Sequence, residues 1–184
     1  MTPRTLAIAS LIVAAAASRL LPHPPNVAPI AAMALFGGAR FEDRRMAFAV
    51  PLAAMLLSDL LIGFHVVQPV VYALFIAIAA LGRLLRGRRG AWPVAAATLA
   101  ASLLFFAGTN LGVWALQPLY PRTAEGLLAC FAAAWPFFRN TLLGDAGYAA
   151  ALFGGLALAE RWIPGLQGAA GGAMAPARAR AAQR

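Results

Sequence analysis

The stretch Pro136-Phe137-Phe138-Arg139-Asn140-Thr141-Leu142-Leu143-Gly144-Asp145 decides how this chain is divided. Read locally, it is an aromatic, proline-bearing loop that opens the last long apolar helix, Thr141 to Trp162. Proline lacks a backbone donor and disfavours helix interiors. Asn140 is a residue type that caps a helix by accepting a free backbone N–H. On that reading Ala124 to Trp135 is a separate short helix, lying in a membrane interface or re-entering it. Asp145 then stands in the second turn of the final helix, where the positive dipole end favours a carboxylate by roughly 0.3–1 kcal/mol.

Working outward, the chain has 184 residues, 62% of them hydrophobic and only 11% charged. A soluble domain of this size needs more polar surface. Several apolar runs approach the roughly 20 residues that cross a bilayer. The expected fold is all-α, a polytopic bundle of six transmembrane helices near 5–21, 27–40, 46–64, 68–85, 93–116 and 141–162. The first run reads as an uncleaved span rather than a removable signal. The run from Pro29 to Ala39, closed by Gly37-Gly38, is too short to cross unaided and must be tilted, extended by its flanks, or partial. Residues 164–184 are Gly/Ala/Arg-rich and are expected to form a disordered cytoplasmic tail.

The net charge of +9 comes from fifteen arginines and no lysine. They punctuate apolar runs instead of gathering on one soluble face, which argues against a nucleic-acid partner. Six spans with both termini cytoplasmic place twelve of the fifteen inside, leaving Arg19, Arg122 and Arg139 outside. A seventh crossing through Ala124–Trp135 would spoil that bias. The single cysteine, Cys130, excludes an internal disulfide and reads as a packing residue.

With this topology the polar residues outside the basic loops fall in one outer layer: Asn26, Asp59, Tyr72, Asn110, Trp114, Arg139, Asn140 and Asp145. An outward-opening pocket for a small molecule is the economical explanation. Asp59 is the costliest of them. A lone Asp at membrane depth costs about 2.5–3.5 kcal/mol on insertion scales, so it needs a partner: Arg139, His65, a ligand or an ion. His23 and His65, with Asp59 and Asp145, offer an alternative as a divalent-cation site or membrane-embedded enzyme, although nothing in their spacing makes them converge. No Walker loop, His-Glu-x-x-His or nucleophile elbow is present, so no catalytic role and no cofactor is assigned. A non-catalytic structural membrane subunit is the third alternative. Ser10, Ala14 and Ser18 recur four apart on the first helix, the small-residue spacing that lets a second backbone approach.

Four stretches carry a resemblance: His23 to Gly38, Pro51 to Phe64 with Ser58-Asp59, Thr109-Asn-Leu-Gly-Val-Trp114, and Pro136 to Asp145. Over residues 19–160 they resemble a family of bacterial membrane proteins known as a domain of unknown function. The layout is more distantly similar to the S components of energy-coupling factor (ECF) transporters. That likeness implies a six-helix subunit of the bacterial inner membrane that binds a vitamin-like or metal-related solute from outside. It also implies docking through small residues on the first helix to a transmembrane coupling protein driven by ATPase subunits.

Overall fold

The computed structural model describes residues 1–88 and 90–167. Among them the chain is all helical: α1 (Pro3–Ser18), α2 (Ile30–Arg40), α3 (Arg44–Ile62), α4 (Gln68–Arg83), α5 (Ala91–Leu116) and α6 (Ala124–Ala149). The last continues through a π-helical turn (Ala150–Gly154) into α7 (Gly155–Trp162), making one rod of 39 residues. Three helices are long and apolar enough to cross a membrane, namely Arg44–Ile62, Ala91–Leu116 and Ala124–Trp162; α1, α2 and α4 are apolar but shorter. This is a membrane protein by length and composition.

Local chemistry sets several helix ends. Thr2 accepts from the Thr5 N–H ahead of Pro3, Asp43 accepts from Met46 N–H at 2.9 Å, and Thr123 accepts from Gly126 N–H at 3.2 Å. Each satisfies an N-terminal donor that the helix cannot pair itself. Gly63 (φ 107°) ends α3 and Gly90 (φ 93°) precedes α5, backbone conformations that other residues rarely adopt.

The expected break at Pro136–Asn140 does not occur. The helix that begins at Thr123 runs straight through Pro136, so Asn140 is an interior residue and not an N-cap. Ala124–Trp135 is the first part of this rod and not a separate interfacial helix, and Asp145 is far from any helix N-terminus. The dipole argument for Asp145 therefore falls. The physical reason is the solvent: an interior proline forfeits one helical hydrogen bond, whereas a loop would leave several backbone groups unpaired in an apolar medium. Aromatic packing holds the first part of the rod to α5, with the Phe106 ring 4.6 Å from Phe138 and 5.9 Å from Phe131. Cys130 is buried in the same contact, its thiol 3.5 Å from the Asn110 carbonyl.

At the centre lies α2. It packs against α1, α3, α4, α5 and α6. Every residue from Ala31 to Gly38 is buried. Its 11 residues span about 17 Å at 1.5 Å per residue, and the shortness is harmless because protein covers it on all sides. Gly37 and Gly38 do not end the helix; they are inside it and let neighbours close in. A Cβ on Gly38 would strike the Ala79 carbonyl of α4, and one on Gly37 the ring of Pro51 in α3. Gly82 of α4 answers from the other side, where a Cβ would strike the Leu35 carbonyl.

The two ends of the bundle differ in charge. At the arginine-rich end Arg4 pairs with Glu160 at 3.0 Å, and Arg83 and Arg86 donate to the carbonyls of Phe41 and Glu42. The opposite end carries the connections around His23–Pro29 and Gly63–Val67. Pro164–Leu166, placed at the start of the tail by composition, form a 3-10 turn instead, and Leu166 is buried close to α1. The expected disorder from residue 168 onward lies outside the described residues.

Candidate functional site

Two polar clusters lie away from the arginine-rich end. In the first, Arg19 Nη2 meets Asp59 Oδ1 at 2.7 Å, with both side chains almost completely buried. The other Asp59 oxygen accepts from the Tyr72 hydroxyl at 2.9 Å and from the Gln68 amide. Arg19 also donates to the Ser58 hydroxyl and lies 3.2 Å from Met55 Sδ. The partner of Asp59 is thus Arg19, which follows the first helix, and not Arg139 or His65, both of which are exposed. Both Asp59 oxygens are closed off by donors from within the chain, while Gln68 Oε1, also buried, has no partner among the described residues. Such closure suits a structural crosslink of α1, α3 and α4 better than a ligand contact.

The second cluster encloses a cavity of about 110 Å³. Asn26 reaches it from the α1–α2 connection, Thr109 and Asn110 from α5, and Thr141 and Asp145 from α6. Asn26 adopts the left-handed conformation (φ 63°), which asparagine tolerates better than most residues, and this turns the connection over the cavity. Asn140 secures that lid from the rod, donating its amide to the Pro25 carbonyl at 3.0 Å. Gly144 permits the approach, since a Cβ there would come within 3.1 Å of Val27 Cα.

Asp145 is buried, and among the described residues only Ser102 donates to it, at 2.6 Å. Asn110 gives one of its two amide N–H donors to the Phe106 carbonyl, and Thr109 gives its hydroxyl donor to the Phe105 carbonyl, each one turn back. What remains for the cavity is the Asp145 carboxylate, the amides of Asn26 and Asn110, which can both donate and accept, and hydroxyl lone pairs of Thr109 and Thr141. That set suits a small cation or a solute rich in N–H and O–H donors.

A family model, described as a family of unknown function (DUF6580), matches residues 1–166. This chain belongs to that family. No curated protein and no solved structure matches it.

Of the eight residues that depth alone had grouped in this DUF6580 protein, three (Asn26, Asn110 and Asp145) line the cavity. Asn140 holds its lid. Asp59 and Tyr72 belong to the Arg19 cluster. Trp114 donates its indole N–H to the Pro121 carbonyl at 2.9 Å and stacks under Arg122, and Arg139 is exposed; neither lines the cavity. His23 and His65 are exposed on separate connections, and among the described residues no three His, Cys, Asp or Glu side chains come together. The proposed metal grouping with Asp59 and Asp145 is therefore not assembled.

Sequence reasoning passed over Arg19, Ser102 and Thr141. Ser102 had a signal: it stands four residues after Thr98 in an otherwise apolar run, so both hydroxyls share one helix face. Of the small-residue stripe, Ser10 and Ala14 are exposed, but Ser18 is engaged by the Tyr148 hydroxyl at 2.9 Å and the Ala15 carbonyl at 2.7 Å.

Proposed function

We propose that this protein is the solute-binding subunit of an uptake system in the bacterial inner membrane, similar in organisation to an ECF S component. In this reading all six helices span or are held within the bilayer. Both termini and the arginine-rich end face the cytoplasm, and the cavity beneath Asn26 opens from the outside. The observation that carries it is convergence: one connection and two helices deliver Asn26, Thr109, Asn110, Thr141 and Asp145 to a single lidded cavity. The solute is small. At about 110 Å³ the cavity is well below the roughly 300–1,000 Å³ of drug-sized ligand sites. Its single carboxylate, Asp145, favours a cationic, metal-related or ammonium-bearing solute, and its volume argues against a vitamin-sized one. Energy would come from partner ATPases through a coupling protein, with the exposed Ser10 and Ala14 of α1 as the surface such a partner meets.

Native mass spectrometry of protein purified from membranes tests the binding role. We expect a retained small cation or solute on the parent protein and its loss from Asp145→Asn and from Asn110→Leu, at least tenfold in occupancy. Loss of a charged hydrogen bond of about 1.5–3 kcal/mol is sufficient for that. A parent protein that carries nothing, or variants that retain the same mass, overturn the binding role.

Topology is tested separately in a Cys130→Ser background, using a membrane-impermeant maleimide on whole cells. Arg122→Cys should label from outside and Arg86→Cys only after permeabilisation. The reverse pattern removes the outward cavity.

A further inference from the structure

Beyond the Phe106 contact, α5 and the α6–α7 rod diverge toward the arginine-rich end and leave a second space, a groove of about 850 Å³. Its walls are apolar and mostly small: Val94 and Leu99 on one side, Ala146, Ala150 and Gly154 on the other. The π-helical turn at Ala150–Gly154 forms part of that wall. A Cβ on Gly154 would meet nothing within 4 Å, so packing within the chain does not require so small a residue there.

The groove also carries a charge. Arg40, at the end of α2, lines it, with its guanidinium 5.0 Å above the Phe153 ring. Its Nε is buried and has no hydrogen-bond partner among the described residues. The nearby carboxylate, Glu160, is held by Arg4 at 3.0 Å. A buried guanidinium N–H without an acceptor is unfavourable, and a phosphate oxygen is the acceptor that arginine pairs with most strongly.

We propose that this groove is a binding site for an anionic phospholipid of the surrounding bilayer, its acyl chain along α5 and α6 and its phosphate on Arg40. Charge complementarity decides the occupant. Among the described residues, an apolar trough ending in a cation whose buried Nε has no partner matches an acyl chain ending in an anion. The site is distinct from the cavity around Asp145, although the Ser102–Asp145 hydrogen bond joins the wall of one to the wall of the other.

The test uses full-length protein, delipidated in detergent and titrated with phosphatidylglycerol or with phosphatidylcholine of the same chains, read by native mass spectrometry. We expect one phosphatidylglycerol per protein, retained at least tenfold better than phosphatidylcholine. Arg40→Gln should reduce that preference to within about twofold, a loss to be set against the general principle that tenfold is 1.4 kcal/mol, whereas the exposed Arg161→Gln should leave it intact. Ala150→Phe, at an exposed wall position, fills the trough without disturbing the core and should lower retention of both lipids. Equal retention of the two lipids by the parent, which is what ordinary annular lipid gives, overturns the proposal. So does a preference that survives Arg40→Gln, or phosphatidylglycerol binding that survives Ala150→Phe.

Discussion

Asp59→Asn should destabilise the protein by about 3–5 kcal/mol, because it leaves the Arg19 guanidinium buried without its counter-charge. The side chain keeps its shape, so packing is unchanged and the effect is electrostatic. Arg19 is 10% exposed at its side chain and Asp59 2%, and water can replace neither partner. Arg19→Gln should cost a similar amount for the converse reason. The double change Arg19→Met with Asp59→Leu should recover much of the loss, since a well-packed apolar pair removes both desolvation costs. Arg139→Gln is the control and should be silent, Arg139 being exposed. Thermal unfolding in detergent, followed by tryptophan fluorescence, reads all four. The single variants should fall by on the order of 10 °C, taking 2–4 °C per kcal/mol for a chain of this size. An Asp59→Asn protein as stable as its parent would show that the crosslink contributes nothing to the fold.

Gly38→Ala should be as damaging, although it adds only a methyl group. That methyl would overlap the Ala79 carbonyl and lie 2.9 Å from its carbon. Backbone cannot rotate away as a side chain can, so α2 and α4 would have to separate along the central contact of the bundle. Overpacking in a tight core costs about 1–3 kcal/mol even where side chains yield, and here we expect at least the upper value. Gly82→Ala probes the same contact from α4. Gly147→Ala supplies the contrast: it sits on the exposed face of α6 with nothing within 4 Å of an added Cβ. By helix propensity alone it should be neutral or stabilising by about 0.5–1 kcal/mol. The comparison is made on yield of monodisperse protein and on unfolding temperature. Should Gly38→Ala and Gly147→Ala behave alike, the α2–α4 approach is not what holds the core.

The sequence by itself determined the helical, membrane-embedded character, because that depends on composition and run length. It also determined several helix ends, since Thr2, Asp43, Gly63 and Gly90 act on their own backbone. Depth was legible only in part: Asp145 had been placed by a helix start at Thr141 that the continuous rod removes. Pairing was not legible. Asp59 announced its need for a partner, but choosing Arg19 over Arg139 requires the rotation and neighbours of each helix, which only packing fixes. The same holds for α2, whose shortness looked like a partial crossing until the surrounding helices covered it. At Pro136 the local signal for a break was real, and it lost to the larger penalty of unpaired backbone in an apolar surrounding. Asn140 was thereby moved from capping a helix to holding the lid over Asp145. Tertiary structure decided what no local rule encodes: which of the costly groups satisfy one another, and which, like Arg40 and the cavity face of Asp145, are left for something else to meet.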